Sequence, residues 1–161
     1  MVKALRVDER LIHGQVAMAW TRDLGIQGIM VADDEAASNE MQKMTLKMAV
    51  PDGIKCIIKT VPEIIALLNN PRSEGMRILV LVKTVKNALE VYKAVPGIEY
   101  VNIGNAGRFT SGDGTERTII SRSVSLTPDE VEALKELAAL APDTTLQMVP
   151  SDGKKLVSEV L

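Results

Sequence analysis

Residues 2–24 decide the fold, and they read VKALRVDERLIHGQVAMAWTRDL. The first six residues, Val2 to Val7, are mostly apolar, as in a short buried strand. From Gln15 to Leu24 the apolar residues recur with helical spacing, which predicts an amphipathic helix. The residues between them, including His13, therefore lie on a loop that leads from a first strand into a first helix. In open α/β sheets, ligands bind beyond the carboxyl ends of the strands, where this loop lies.

The same alternation of strand and helix continues to the end of the chain. Further strands are predicted over Gly28–Ala32, Ile54–Lys59, Arg77–Val82, Tyr100–Ile103, Arg117–Leu126 and Thr144–Val149. Further helices are predicted over Ala36–Met48, Pro62–Asn69 after a Thr60 cap, Val85–Ala94, Thr127–Leu140 with Thr127 as cap, and Gly153–Val160. This order predicts an α/β fold: a single domain with a doubly wound, mainly parallel sheet of about seven strands and helices on both faces.

Composition excludes several classes of protein. The net charge of −2 gives no electrostatic footprint for nucleic acid. No apolar run approaches the roughly 20 residues that span a bilayer, and no signal peptide precedes the first strand. The single cysteine, Cys56, fits a reducing compartment and is expected to be an inert strand residue. With only 2% aromatic residues, the eight methionines are expected to pack in the core rather than to bind copper.

His13 is the only histidine, and its neighbours suggest anion chemistry. A structural histidine bonded to a loop carbonyl is the ordinary alternative. Arg10, however, lies three residues earlier and can bind phosphate oxygens, and Gly14 allows close approach of the backbone. The free N–H groups at the start of the following helix also favour an anion. A zinc site is not expected, because one His and one Cys do not supply its ligands.

Three further residues near His13 have two interpretations each. Asp8 is either a turn residue or a carboxylate that fixes the orientation of His13 or Arg10. Gln15 is either an exposed helix residue or an amide donor to the same anion. Arg6 lies within the strand and is expected to pair with an acid, although contact with phosphate is the alternative.

A glycine-rich stretch, Gly104–Thr115, is the longest irregular part of the chain. It is not a P-loop, because no Gly-Lys-Ser/Thr sequence ends it. Contact with phosphate or a partner is as plausible as a simple turn, and Arg108 is its best candidate residue. Lys83 follows the fourth strand and is expected either to point into the same crevice or to be an ordinary solvated lysine.

Two alternative functions would involve Asp33 and Asp34, which follow the second strand. A ribose contact of the dinucleotide-binding type fails, because no Gly-x-Gly-x-x-Gly follows the first strand. A receiver-like regulatory domain with Lys83 as its lysine lacks an aspartate at the end of the third strand, where Lys59 stands. That alternative, like a metabolite-binding α/β module, leaves His13 unexplained.

Residues 6–16, RVDERLIHGQV, resemble the signature of the B component (EIIB) of the bacterial phosphoenolpyruvate-dependent sugar phosphotransferase system, in its mannose/fructose/sorbose family. Trp20, residues 31–35 (VADDE) and residues 101–105 (VNIGN) support the resemblance, which covers the whole chain. One departure is that many relatives read Gly-Gly where this chain has Gly104-Asn105.

The resemblance implies a cytoplasmic phosphocarrier that works without a cofactor or metal. Its His13 would accept a phosphoryl group, at Nδ1, from a histidine of the A component. It would then pass the group to a sugar entering through the membrane C and D components, with which it associates peripherally. Arg10 matches the arginine that contacts the phosphate. A homo-oligomer is possible, nucleic acid is not a partner, and the sugar is left unassigned.

Overall fold

The computed structural model describes residues 1–107 and 114–161. The strands are β1 (Val2–Asp8), β2 (Gly28–Ala32), β3 (Lys55–Lys59), β4 (Ile78–Val82), β5 (Val101–Asn105), β6 (Thr118–Ser121), β7 (Val124–Leu126), β8 (Thr145–Leu146) and β9 (Lys155–Leu156). The α-helices are α1 (Gly14–Leu24), α2 (Asp34–Ala37), α3 (Glu40–Met48), α4 (Val61–Leu68), α5 (Val85–Ala94) and α6 (Pro128–Leu140). Single 3₁₀ turns occupy Pro71–Ser73 and Val157–Glu159.

Seven strands form the main sheet, in the order β3-β2-β4-β1-β5-β8-β9. All neighbouring strands are parallel except β8 and β9, which are antiparallel. Strand β4 lies between β2 and β1 and is buried along its whole length, which explains its unbroken apolar sequence. The predicted mainly parallel α/β sheet is therefore confirmed.

Helices cover both faces of this sheet. Ala17 and Trp20 of α1 and Leu46 of α3 pack on one face. The apolar residues of α4, α5 and α6 pack on the other. The chain leaves β1 for a helix on one face and, after β5, reaches a helix on the other. The crevice between the carboxyl ends of β1 and β5 is therefore the switch point of the sheet, where ligands of such folds bind.

The prediction of one strand over Arg117–Leu126 is wrong, because two strands occupy this stretch. Strands β6 and β7 make a separate two-stranded antiparallel hairpin outside the main sheet. Residues 122–123 form its turn. Residue 106 bridges to Val124, and the φ of Gly107 is 77°, so the chain turns sharply out of the sheet after β5. Alternation of apolar residues along one stretch does not distinguish one strand from two that are folded back on each other.

The C-terminal prediction is also partly wrong. Strand β8 is only two residues long, because the side-chain amide of Gln147 donates to the carbonyl oxygens of Pro150 and Asp152 and closes a turn. The predicted helix Gly153–Val160 is instead β9 and a 3₁₀ turn, with Val157 fully buried. The open edge of β8 offers backbone partners that a short uncapped helix does not have.

The helix predicted over Ala36–Met48 is two helices. The side chain of Asp33 accepts a hydrogen bond from the backbone N–H of Ala36 and caps α2. The side chain of Asn39 accepts one from Gln42 and caps α3. Because a cap residue has extended backbone, Asn39 interrupts the helix. The predicted Thr60 and Thr127 caps are confirmed, each within a reciprocal pair with a glutamate.

The expectation that the methionines pack in the core is wrong for five of the eight. Met30 is buried, but the exposed residues include Met1, Met18, Met41, Met44 and Met48. Cys56 lies on the edge strand β3, where burial raises the pKa of its thiol and so makes it less reactive. Among the described residues, no helix is both long and apolar enough to cross a membrane.

Candidate active site

The loop from β1 into α1 is a preformed turn. The backbone N–H of Leu11 donates to the carbonyl oxygen of Asp8 at 2.8 Å, and that of Arg10 donates to Asp8 Oδ1 at 3.0 Å. Leu11 has a φ of 60°, a left-handed conformation that costs a leucine free energy. The buried side chains of Leu11 and Ile12 hold this conformation from below. Both side chains therefore pack inward and do not form an exposed apolar surface around His13.

Asp8 lies between two arginines. Its side chain is 1% exposed, and it accepts hydrogen bonds from Arg10 Nε at 3.0 Å, Arg10 Nη2 at 2.9 Å and Arg6 Nη2 at 3.2 Å. Of the two arginines, Arg6 is 2% exposed and Arg10 is 21% exposed. The carboxylate therefore joins a buried cation to one that reaches solvent. Asp8 therefore contacts Arg10, and its role in orienting that side chain stays a prediction. Among the described residues it makes no hydrogen bond to His13.

The environment of each guanidinium changes its pKa in a different direction. Burial lowers the pKa of Arg6 to about 10, although Asp8 opposes this change. The hydrogen bonds from Asp8 raise the pKa of Arg10. Arg10 is thus always charged, and its Nε–Nη2 edge is occupied by Asp8. Its Nη1 group has no hydrogen-bond partner within residues 1–107 and 114–161 and can meet an incoming anion. A phosphate would therefore not receive the Nε–Nη2 edge that bidentate binding often uses.

A buried polar network holds Arg6 in place. Arg6 Nη1 donates to the side-chain oxygen of Asn102 on β5 and to the carbonyl oxygen of Gln147 at 3.0 Å. Its guanidinium carbon lies 5.3 Å from the ring centroid of Trp20. A Cβ at Gly104 would lie 2.2 Å from the same guanidinium, so the glycine makes room for it. The structure therefore assigns Arg6 to Asp8 and the sheet, and not to an anion at the surface.

Met148, in the C-terminal segment, contacts both arginines. Met148 Sδ lies 3.4 Å from Arg10 Nη2 and 3.8 Å from Arg6 Nη2. The indole N–H of Trp20 donates to the carbonyl oxygen of Met148 at 3.0 Å. Sequence reasoning missed Gln147 and Met148. The only signal in the sequence was that Gln147 is a polar residue within a predicted buried strand. The contact of both residues with β1 could not be predicted, because it joins parts of the chain that are far apart in sequence.

His13 is exposed at the start of α1. It is the N-cap residue, and its backbone carbonyl oxygen accepts from the N–H of Ala17 at 2.7 Å. Its own side chain makes no capping hydrogen bond in the part of the chain that the structure describes. The backbone N–H groups of Gly14, Gln15 and Val16 have no acceptor among the described residues. The imidazole likewise has no hydrogen-bond partner there. A Cβ at Gly14 would meet only the carbonyl oxygen of Ala49, at 4.0 Å, so the space outside the helix end is open.

The remaining candidates lie around or outside this loop. Gln15 is exposed beside His13. Lys83, after β4, pairs with Glu35 at 3.7 Å. Asp33 and Asp34 bind backbone N–H groups, those of Ala36 and Val61. Arg108 lies outside the described residues, as does half of the Gly104–Thr115 stretch.

This loop and the helix start that follows it offer an exposed imidazole, an immobilised cation and N–H groups that have no acceptor in the described part of the chain. Positive charge and donors that are already oriented stabilise a phosphate-like anion without reorganisation. Fold and loop together place the chain in the class of doubly wound α/β proteins whose ligand crevice lies beyond the strand carboxyl ends.

Comparisons with known proteins narrow this class to a family. Residues 2–161 match the family model described as PTS system sorbose subfamily IIB component. A probable phosphotransferase enzyme IIB component of Streptococcus pyogenes serotype M6 is 44% identical over 162 residues, which cover 100% of this chain and 99% of that protein. A sorbose-specific EIIB component of Lacticaseibacillus casei is 34% identical over 94% of this chain and 90% of its own length.

A solved structure agrees with these sequence matches. The IIBSor domain of the sorbose permease from Klebsiella pneumoniae superposes with a TM-score of 0.88 at 26% identity, over 99% of this chain and 94% of that one. The chain belongs to the sorbose-type IIB components of the phosphotransferase system. Members of this family are components of the phosphotransferase system and act in sugar uptake.

Proposed function

We propose that this protein carries a phosphoryl group on His13, taking it from a phosphohistidine of its A component and passing it to a sugar that enters through the C/D complex. The observation that carries the proposal is the exposed imidazole at an uncapped helix start, next to an arginine that Asp8 holds in place. The protein would work in the cytoplasm, at the membrane surface, without a metal or other cofactor.

The first transfer exchanges one N–P bond for another. A free imidazole nitrogen of neutral His13 attacks the phosphorus of the donor. The new bond to His13 forms as the bond to the donor imidazole breaks, and the donor imidazole leaves with the electron pair of that bond. Because both the leaving and the entering group are imidazoles, the free-energy change of this step is close to zero. Catalysis therefore needs mainly positioning of the two groups and stabilisation of the phosphoryl charge.

The second transfer forms an O–P bond. A sugar hydroxyl oxygen attacks the phosphorus, the bond to His13 breaks, and the released imidazole can accept the hydroxyl proton. We assign no sugar to this protein from the names of its relatives. The membrane partner would determine which sugar receives the phosphoryl group.

Charge stabilisation would come from two sources. The N–H groups of Gly14, Gln15 and Val16 lie at the positive end of α1, which favours an anion bound to the neighbouring imidazole. Arg10 would direct its Nη1 group to the equatorial oxygens of the phosphoryl group. Lys83 and Arg108 are further candidates for contact with phosphate or a partner.

Asp8 and Arg6 would act as positioning residues. An arginine side chain loses considerable rotamer entropy when it is fixed in one conformation. Because Asp8 already fixes Arg10 in the folded protein, this entropy is lost during folding and not during phosphoryl transfer. Arg6 in turn fixes the Asp8 carboxylate by a hydrogen bond and an opposite charge. Preorganisation of this kind lowers the barrier because no group has to move as charge develops.

The proposal is tested by phosphotransfer from phosphoenolpyruvate through the general phosphotransferase proteins and a purified A component. We expect acid-labile, base-stable label on the wild type and none on His13→Ala. Arg10→Ala should slow transfer by at least ~10²-fold, the usual loss when one charge-stabilising donor is removed. Arg22→Ala, which removes an exposed arginine of α1, is the matched control and should transfer normally. Label on His13→Ala would overturn the proposal.

A further inference from the structure

A row of buried polar side chains crosses three neighbouring strands of the main sheet. The strand register places Arg6 of β1 beside Asn102 of β5, and Asn102 beside Thr145 of β8. Because neighbouring strands lie only about 4.8 Å apart, the three side chains form one lateral row on one face of the sheet. They are 2%, 1% and 2% exposed. A mainly parallel sheet covered on both faces usually has apolar residues at such positions, so this row requires an explanation.

The side-chain amide of Gln147 fixes the direction of the hydrogen bonds at one end of this row. Its Nε2 group donates to the carbonyl oxygens of Pro150 and Asp152, at 3.2 and 2.9 Å. Because a carbonyl oxygen can only accept, the amide has one possible orientation, with its Oε1 towards Tyr100. The Tyr100 hydroxyl lies 2.8 Å from this Oε1 and must donate its only proton to it.

From Tyr100 the direction is transmitted to Asn102 through Thr145. The Tyr100 oxygen also forms a hydrogen bond with the Thr145 hydroxyl. Since Tyr100 has already donated its proton, Thr145 is the donor in this bond. The Thr145 oxygen then accepts from Asn102 Nδ2, at 3.1 Å. A second hydrogen bond, from Asn102 Nδ2 to the carbonyl oxygen of Gln147 at 3.0 Å, holds the amide in the same orientation.

The fixed amide of Asn102 turns its acceptor towards Arg6. Its Oδ1 accepts a hydrogen bond from Arg6 Nη1, whereas the reversed amide would set one N–H donor against another. Arg6 Nη2 donates to Asp8 Oδ2 at 3.2 Å, and the same oxygen accepts from Arg10 Nη2 at 2.9 Å. The hydrogen bonds therefore run without interruption from a turn in the C-terminal segment to the arginine in the loop before His13.

Stability alone does not explain this network. Well-packed apolar residues of similar volume often stabilise a core as well as buried polar groups do, or better. The network supplies something that apolar residues do not, namely an acceptor in a fixed position for Arg6 Nη1, so that Arg6 Nη2 is aimed at Asp8. A reaction that depends on oriented charge needs such support, because a misplacement of about 1 Å can slow it about 10²-fold.

We propose that Thr145 and Tyr100 are positioning residues for phosphoryl transfer. They fix the amide that holds Arg6, and Arg6 fixes the carboxylate that holds Arg10. Their own hydrogen bonds are made within the network, so they act without contact with a reacting atom. This inference rests on the proposed function, since the reaction that it concerns is the transfer to His13.

The experiment compares Thr145→Val with Thr144→Val. Valine has nearly the shape of threonine but no hydroxyl. Thr144 is an equally buried neighbour, and its hydroxyl donates to the carbonyl oxygen of Ala141 at 2.6 Å, outside the network. Each variant loses one buried, hydrogen-bonded hydroxyl, so their losses of stability should be similar. With the phosphorylated A component as donor, Thr145→Val should lower kcat about 10-fold and leave KM within twofold, whereas Thr144→Val should keep both values.

Two further variants test whether the hydroxyls act as one chain. Thr145→Ser keeps the hydroxyl and should restore kcat to within twofold of the wild type. Tyr100→Phe should lower kcat as Thr145→Val does. The double variant should transfer no more slowly than Thr145→Val alone, because both changes interrupt the same chain of hydrogen bonds.

Hydrogen exchange of the Arg10 Nε–H, followed by NMR, reports on this side chain without any transfer reaction. In the wild type this group donates to Asp8 Oδ1 at 3.0 Å, which protects it from exchange. Its exchange rate should rise at least about 5-fold in Thr145→Val and stay unchanged in Thr144→Val, because only the first change releases Arg6.

Equal kcat values for the two valine variants, or an unchanged exchange rate in Thr145→Val, would overturn the inference. A wild-type protein that takes no label on His13 would contradict the proposed function instead. The exchange rates would then still show whether the network holds Arg10, so the two failures are distinguishable.

Discussion

At the scale of single residues, the site depends on one carboxylate shared by two arginines. Removing an ion from water is costly, and a buried arginine is tolerated only when its charge and its N–H groups are matched. Arg6 meets this condition through Asp8, Asn102 and the carbonyl oxygen of Gln147. The same carboxylate fixes Arg10 at the edge of solvent. A buried ion pair of this kind contributes geometry more than stability, and the geometry is what phosphoryl transfer needs.

Gly104→Ala tests whether the Arg6 guanidinium needs the space that the absent side chain of Gly104 leaves. The new methyl group would lie 2.2 Å from the Arg6 guanidinium, which is held by several hydrogen bonds and cannot move freely. We expect the free energy of unfolding to fall by about 1–3 kcal/mol, the usual cost of overpacking. Phosphotransfer should slow as well, since a displaced Arg6 releases Asp8.

Urea denaturation at pH 7 measures the first effect, and the transfer assay measures the second. Gly153→Ala is the control, because nothing lies within 4 Å of a Cβ there. Equal stability and activity of Gly104→Ala and the wild type would show that Arg6 is not confined.

At the scale of elements, local capping decides where helices begin. Asn39 and Asp33 divide a stretch that apolar periodicity alone treats as one helix. Thr127 begins α6 with a reciprocal pair: its side chain accepts from the N–H of Glu130, and the Glu130 carboxylate accepts from the N–H of Thr127. Helix α6 then covers the sheet on the face opposite α1. Its start is thus defined by residues that make no contact with the site.

Thr127→Ala should lower the free energy of unfolding by about 1 kcal/mol, the usual value for loss of an N-cap side chain. Thr45→Ala is the matched control, because Thr45 is exposed in the middle of α3, where alanine is the better helix former. Thermal or urea unfolding compares the two. A Thr127→Ala protein as stable as Thr45→Ala would contradict the capping role.

At the scale of the whole molecule, the two helix layers have different tasks. The layer of α1 and α3 carries the candidate site, and the layer of α4, α5 and α6 supplies the larger apolar cluster. Stability and transfer should therefore be separable by mutation.

Leu137→Ala tests this separation. Leu137 is fully buried on α6, so its truncation should lower the free energy of unfolding by about 2–5 kcal/mol. The rate of phosphotransfer at 25 °C should stay within twofold as long as the protein is folded. Leu140→Ala, three residues along the same helix and exposed, should change stability by no more than about 0.5 kcal/mol. Loss of transfer in a folded Leu137→Ala protein would show that the layers are coupled.

The sequence by itself determined the strand–helix alternation and the place of His13 at the end of the first loop. These are properties of neighbouring residues: periodicity, caps and the order of elements along the chain. The order of elements also implied helices on both faces of a mainly parallel sheet, because parallel strands need crossover connections.

Only the tertiary structure decided the rest. It turned Arg117–Leu126 into a hairpin and paired β9 with β8, because the partner of a strand edge is chosen by distant residues. It brought Gln147 and Met148 against Arg6 and Arg10, more than 130 residues away in sequence. It also turned three methionines of α3 outward. Contacts across such distances depend on how the layers pack, and no local pattern in the chain encodes them.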